Sequence, residues 1–160
     1  KTDISTMNGY GRSIILAQAD IKMPTELIQK LERLGESGDE IAKKMLRSGA
    51  QIVKDKIDSN LKKNLYYQNR PYTRNYPTGA LERSITIDKP KRNKSGNHQI
   101  RVYFKGVDSK GTSNTLKARA MESGTRKQQK KPFVRPAVNE TRDKVNVEMQ
   151  RIFEEESNKL

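Results

Sequence analysis

The sequence predicts an α+β fold in which a long N-terminal helix and a C-terminal helix pack on a small, mainly antiparallel β-sheet. Three observations predict it. Ile41, Met45, Gly49 or Ala50, Val53, Ile57 and Leu61 recur about every four residues, the period of one buried stripe on a helix. Ile100, Val102 and Phe104 alternate with polar residues, as a strand with one covered face requires. Val134, Val138, Val145, Met149, Ile152 and Phe153 return to the helical period near the C-terminus.

In chain order, residues 1–22 hold no clear period. Asn8-Gly9-Tyr10-Gly11 reads as a turn and Ile14 to Leu16 as a short strand or docking segment. The expectation is an N-terminal extension or tail at 1–22, followed by a single domain at 23–160. Pro24 suits a first helical turn, with Leu27, Ile28, Leu31 and Leu34 at helical spacing behind it. Gly35 and Gly38 interrupt that pattern, and Ser37-Gly38-Asp39-Glu40 has the form of a capping box that restarts a helix. Residues 64–80 read as a long loop broken by Pro71, Asn75, Pro77 and Gly79. Leu81 and the run Ser84 to Ile87 enter a strand. A polar turn at 89–97 makes a hairpin with the strand at 99–105. Residues 106–116, rich in Gly, Ser, Thr and Asn, read as flexible, and Ala118 to Glu122 as a short strand ending at Gly124. Pro132 and Pro136 then lead the last helix.

Composition narrows the chemistry. The chain has 160 residues, of which 32% are hydrophobic, with no Cys and one His. Disulfides, thiolate metal sites and Cys nucleophiles are therefore excluded. A lone His98 leaves paired-His metal motifs without material. No apolar run approaches the ~18–20 residues of a membrane-spanning helix, and no phosphate-binding loop or nucleophile elbow is present. The expectation is a protein without catalysis, cofactor or membrane. Charge is uneven: residues 61–135 hold 19 Lys+Arg and four Asp+Glu, a net of +15 within an overall +14. Two clusters carry it, one around Lys89, Lys91, Arg92 and Lys94 and another at Arg126, Lys127, Lys130, Lys131 and Arg135. Such a field attracts polyanions or acidic partners without specifying which.

Two short motifs are candidates for function. In Pro77-Thr78-Gly79-Ala80-Leu81-Glu82-Arg83-Ser84-Ile85, Gly79 permits a positive φ and Thr78 can bond its own backbone. In Met121-Glu122-Ser123-Gly124-Thr125, followed by Pro132-Phe133-Val134-Arg135-Pro136-Ala137, Gly124 suits a turn and Phe133 a helix-start anchor. Glu122 and Arg135 have opposite signs and can pair across that turn. Taken together, Thr78, Gly79, Leu81, Ser84 and Ile85, then Glu122, Gly124 and Thr125, then Pro132, Phe133, Arg135, Pro136 and Ala137 resemble the head–tail joining proteins of tailed phages and prophages, the neck or tail-completion type. The resemblance runs from about Pro24 to the C-terminus. Arg119-Ala120-Met121 departs from it where the family usually has an aromatic residue.

That resemblance implies a structural morphogenesis protein. It would form a ring between the head connector and the tail tube, with neck, connector and tail proteins as partners and transient contact with genomic DNA. It would sit in the virion, and in the host cytoplasm during assembly. The loop at 64–80 and the segment 106–131 would be assembly surfaces that order on assembly, and Lys91, Arg92, Arg126, Lys127, Lys130 and Lys131 would contact a polyanion or a partner. The rival reading is a basic nucleic-acid-binding protein using residues 61–135, in which Tyr66, Tyr67, Tyr72 and Tyr76 interleave with Arg70 and Arg74. A second rival is a Mg²⁺ nuclease built on carboxylates such as Asp55, Asp58 or Asp88.

Overall fold

A computed structural model describes residues 17–66 and 79–160. The order is β1 (Ala19–Lys22), α1 (Thr25–Glu32), α2 (Gly35–Tyr66), α3 (Ala80–Arg83), β2 (Ile85–Ile87), β3 (Lys91–Arg92), β4 (His98–Phe104), α4 (Asn114–Ser123) and α5 (Val134–Ser157). The expected α+β architecture holds: long helices lie on a small antiparallel sheet. β4 is the central strand. β1 pairs with it on one side (Ile21 opposite Ile100, Ala19 opposite Val102), and β2 pairs with it from the other (Ile85 opposite Phe104). Because side chains alternate along a strand, Ala19, Ile21, Ile85, Ile100, Val102 and Phe104 all fall on one buried face.

That face meets the stripe of α2, in which Ile41, Met45, Ala50, Val53, Ile57 and Leu61 are all buried. α5 runs antiparallel to α2 along its length. Lys44 pairs with Glu156, Ser48 donates to Glu148 at 2.9 Å, Lys56 pairs with Glu140 at 2.6 Å, and Asn60 donates to the Phe133 carbonyl at 3.3 Å. Gly49 allows the close approach: a Cβ there would stand 2.9 Å from Met149 Cε.

Several expectations change. The helix break precedes the predicted capping box, and Ser37 to Glu40 lie within the first turns of α2. Gly35, at φ +56°, turns the chain, and Gly38 lets the Leu31 carbonyl come so close that a Cβ would sit 2.1 Å from its oxygen. Residues 19–22, assigned to the N-terminal extension, form β1 within the sheet. Leu81, expected at the entry to a strand, lies in the short helix α3 (Ala80–Arg83), and the strand begins at Ile85. The polar turn at 89–97 contains β3, which pairs with His98 and Gln99.

Ala118 to Glu122 belong to α4 and not to a strand. Ala118, Met121 and Glu122 are buried at helical spacing, a pattern too short to show in sequence. Residues 106–113 are tied down: Asp108 accepts from the Lys110 and Thr112 amides at 2.9 and 2.8 Å and pairs with Lys117. Asn114 and Thr115 then fasten α4 to the carbonyls of Lys105 and Phe104 at 3.1 and 2.7 Å.

Candidate assembly interface

The second motif is built around one carboxylate. Glu122, the penultimate residue of α4, is only 6% exposed. Its Oε2 accepts from the Phe133 and Val134 amides at 2.8 and 2.9 Å, and its Oε1 from the Arg135 amide at 2.9 Å. The first N–H groups of a helix have no partner within it, and the N-terminus carries partial positive charge. Glu122 thus caps α5 from a distance of eleven residues in sequence. The expected pairing of its charge with the Arg135 side chain is replaced by contact with the Arg135 backbone. A hydrogen-bonding acceptor was needed there because Phe133 supplies no side-chain cap of its own.

Around that cap the loop between α4 and α5 is closed at several points. Gly124 has φ +75°, and a Cβ there would lie 2.9 Å from the Lys130 amide nitrogen, so both its backbone angle and its space require glycine. Thr125 and Gln128 exchange backbone hydrogen bonds, and the Lys131 amide donates to the Met121 carbonyl at 2.7 Å. From α2, Asn64 donates to the Lys131 carbonyl at 3.1 Å and Asn60 to that of Phe133. The fully buried Phe133 ring meets Phe104 edge-on, with centroids 5.7 Å apart. Pro132, exposed, and Pro136, half-buried, flank the helix start. Residues 124–131 are therefore a pinned loop and not the segment expected to order on assembly. Asn60 and Asn64 were missed in sequence because an Asn on a helix surface carries no sign of which carbonyl it will meet.

The first motif plays a related part. Gly79, at φ +73°, starts α3, Leu81 is buried, and Ser84 Oγ donates to the Leu81 carbonyl at 2.6 Å. α3 packs against α4, so the two motifs adjoin. Thr78, most of the loop at 64–80 with Tyr67, Tyr72, Tyr76, Arg70 and Arg74, the Tyr66 side chain, and the turn and strand proposed at 8–16 lie outside the described residues.

The two basic clusters separate in space and in electrostatics. Lys91 and Arg92 sit on β3, at the opposite end of β4 from Phe104. Each has a carboxylate: Lys91 pairs with Asp88 at 2.7 Å and Arg92 with Asp39 at 2.5 Å. The hydrogen bonds from Lys91 and Arg92 hold the Asp88 and Asp39 carboxyls below their ordinary range. His98, given no role in sequence, places Nε2 3.2 Å from the same Asp39 oxygen. It lines a cleft of about 280 Å³ with Ile28, Leu31, Asp39 and Arg92. In the pinned loop, by contrast, Arg126, Lys127 and Lys130 are exposed and meet no carboxylate among the described residues. Lys131 is half-buried at the loop's return. From 123 to 139 there are five basic residues and no acidic one.

The nuclease carboxylates are dispersed. Asp55 accepts from Gln51 at 2.7 Å, Asp58 pairs with Lys62 at 2.6 Å, and Asp88 lies on the hairpin. Among the described residues no group of three or more acidic or His side chains is placed to hold a metal ion. No helix there is long and apolar enough to cross a membrane.

Residues 25–106 match the sequence model of a family described as "Bacteriophage HK97-gp10, putative tail-component". The match takes in the first motif and stops short of Glu122 and the loop it closes. No curated protein and no solved structure matches the chain.

Proposed function

Because the chain belongs to the HK97-gp10-like family of phage tail components, we propose that it is a structural subunit of the ring that joins the head connector to the tail tube. Its partners are neck, connector and tail proteins, and it resides in the virion after assembling in the host cytoplasm. The observation that carries this reading is the pinned loop at 124–131, whose unneutralised cations Arg126, Lys127 and Lys130 stand on a rigid base. A loop held in shape before contact loses little conformational entropy on docking, so it suits repeated, specific assembly. Protein docking fits better than tight DNA binding. Each phosphate contact adds salt-dependent affinity, and a channel that lets a genome slide needs little of it.

The test is a phage or prophage lacking this chain, viewed by electron microscopy. DNA-filled heads and finished tails that accumulate unjoined are the expected result. Intact virions, or heads with no tails made at all, would refute the joining role.

A further inference from the structure

The outer face of α5 completes a pattern that the basic loop begins. Its buried side is formed by Val134, Val138, Val145, Met149 and Ile152. The ridge directly opposite, by helical geometry, is Pro136, Glu140, Asp143, Val147, Gln150 and Glu154, spaced alternately four and three apart. That ridge has three carboxylates and no Lys or Arg. Glu140 is shared with Lys56, but Asp143 and Glu154 meet no cation among the described residues. The neighbouring Arg151 is engaged by Glu148 and Glu155 at 2.9 and 2.7 Å, so it does not neutralise the ridge. Val147 stands at its centre, 69% exposed.

The other half of the pattern lies on α4 and the loop it feeds. Leu116, 60% exposed, and Arg119 occupy the outer side of α4, opposite the buried Ala118 and Met121. Val107, 63% exposed, bridges to Ser113 at the start of the helix, and Arg126, Lys127 and Lys130 follow the helix end. This strip is apolar and cationic with no exposed acid; the α5 ridge is apolar and anionic. Duplex DNA offers no counterpart to Leu116 and Val107, whereas a protein surface does.

We propose that the α4 strip and basic loop of one subunit dock on the α5 ridge of the next, with a second copy of this chain as the occupant. The two patches differ, so the contact is head-to-tail and propagates from subunit to subunit, closing into a ring where the rotation allows. Opposite charges steer the encounter and set the register, and the exposed apolar residues supply the dry centre. The inference rests on the ring reading above and assigns its surfaces.

The absence of cysteine gives a clean test. Lys127→Cys and Asp143→Cys proteins are purified separately and joined with a short bifunctional maleimide. Crosslinked dimer in the mixture, with none above background in either alone, is expected. Crosslinking of one variant to itself would indicate a two-fold contact and overturn the proposal. In parallel, Lys127→Glu with Lys130→Glu should weaken self-association at least ~10-fold, and adding Asp143→Lys with Glu154→Lys should restore it. Circular dichroism checks that each variant folds. Self-association that survives the first reversal leaves the ring reading standing and removes this pairing. A parent chain still monomeric at ~1 mM also removes it, whatever the null phage shows about the joining role. Loss of duplex-DNA binding in the reversed variant, with association unchanged, would assign the loop to a polyanion instead.

Discussion

At the residue scale, Glu122 is the most informative position, because three backbone donors converge on one buried carboxylate. Glu122→Ala strands those donors at the start of α5. The expected loss is ~1–3 kcal/mol in denaturant unfolding, since unsatisfied buried polar groups carry that cost. Glu122→Gln keeps one carbonyl acceptor and should lose less; equal loss in both would mean that charge, not acceptor count, matters. Phe133→Ala removes the ring that meets Phe104 and should cost ~3–5 kcal/mol. A thermal melt unchanged from the parent would contradict the packing. Glu148 tests electrostatics. Hydrogen bonds from Arg151 and then Ser48 lower its pKa to about 2, against ~4.3 for an unperturbed glutamate. A depressed carboxyl stabilises the fold above its unfolded pKa, and that contribution is lost as pH falls toward the folded value. Glu148→Gln should therefore be less stable than the parent at neutral pH, with the gap closing from about pH 4.3 toward pH 2. A urea-midpoint difference that stays constant across that window would exclude the linkage.

At the element scale, the junction between α1 and α2 shows how a helix boundary can be misread. Gly35 and Ser37-x-x-Glu40 resemble a stop and a restart, yet α2 begins at Gly35 and absorbs the capping-box residues. What decides is contact: the end of α1 presses its Leu31 carbonyl against Gly38. Gly38→Ala places a Cβ against backbone that moves only if α1 moves, so the cost should reach the upper part of the ~1–3 kcal/mol range for overpacking. At Gly49 the obstacles are side chains and not backbone, Met149 Cε at 2.9 Å and Val145 Cγ1 at 3.0 Å, so Gly49→Ala should cost less than Gly38→Ala within that range. Denaturant midpoints for the two variants check the order, and a reversed order would disprove the argument. α4 teaches the complementary lesson. Its ten residues bury just four, so amphipathic periodicity had little to display.

At the scale of the whole molecule, the basic residues of 61–135 divide: Lys91 and Arg92 in the first cluster are paired with Asp88 and Asp39, while Arg126, Lys127 and Lys130 in the second are left open. Arg126→Ala, Lys127→Ala and Lys130→Ala together should change folding stability by less than ~0.5 kcal/mol, because exposed residues without partners contribute little. Fluorescence anisotropy with labelled DNA should show weak binding that collapses between ~0.05 and ~0.2 M salt, as generic phosphate attraction does. Tight binding that survives the higher salt and disappears in the triple variant would favour the nucleic-acid reading of this pole.

The sequence by itself determined the long helices, the central strand and the family, because these rest on periodicity sustained over many residues and on motifs spaced along the chain. Ile41 to Leu61 could face a core in one way only, as could Val134 to Ile152. The tertiary structure alone decided what Glu122 binds, that Asn60 and Asn64 pin the loop, and that Lys91 and Arg92 are neutralised while Arg126, Lys127 and Lys130 are not. Those are contacts between residues far apart in sequence. A carboxylate, an amide or a cation has the same local signature whether its partner is a helix terminus, a neighbouring charge or water, so only the folded arrangement distinguishes them.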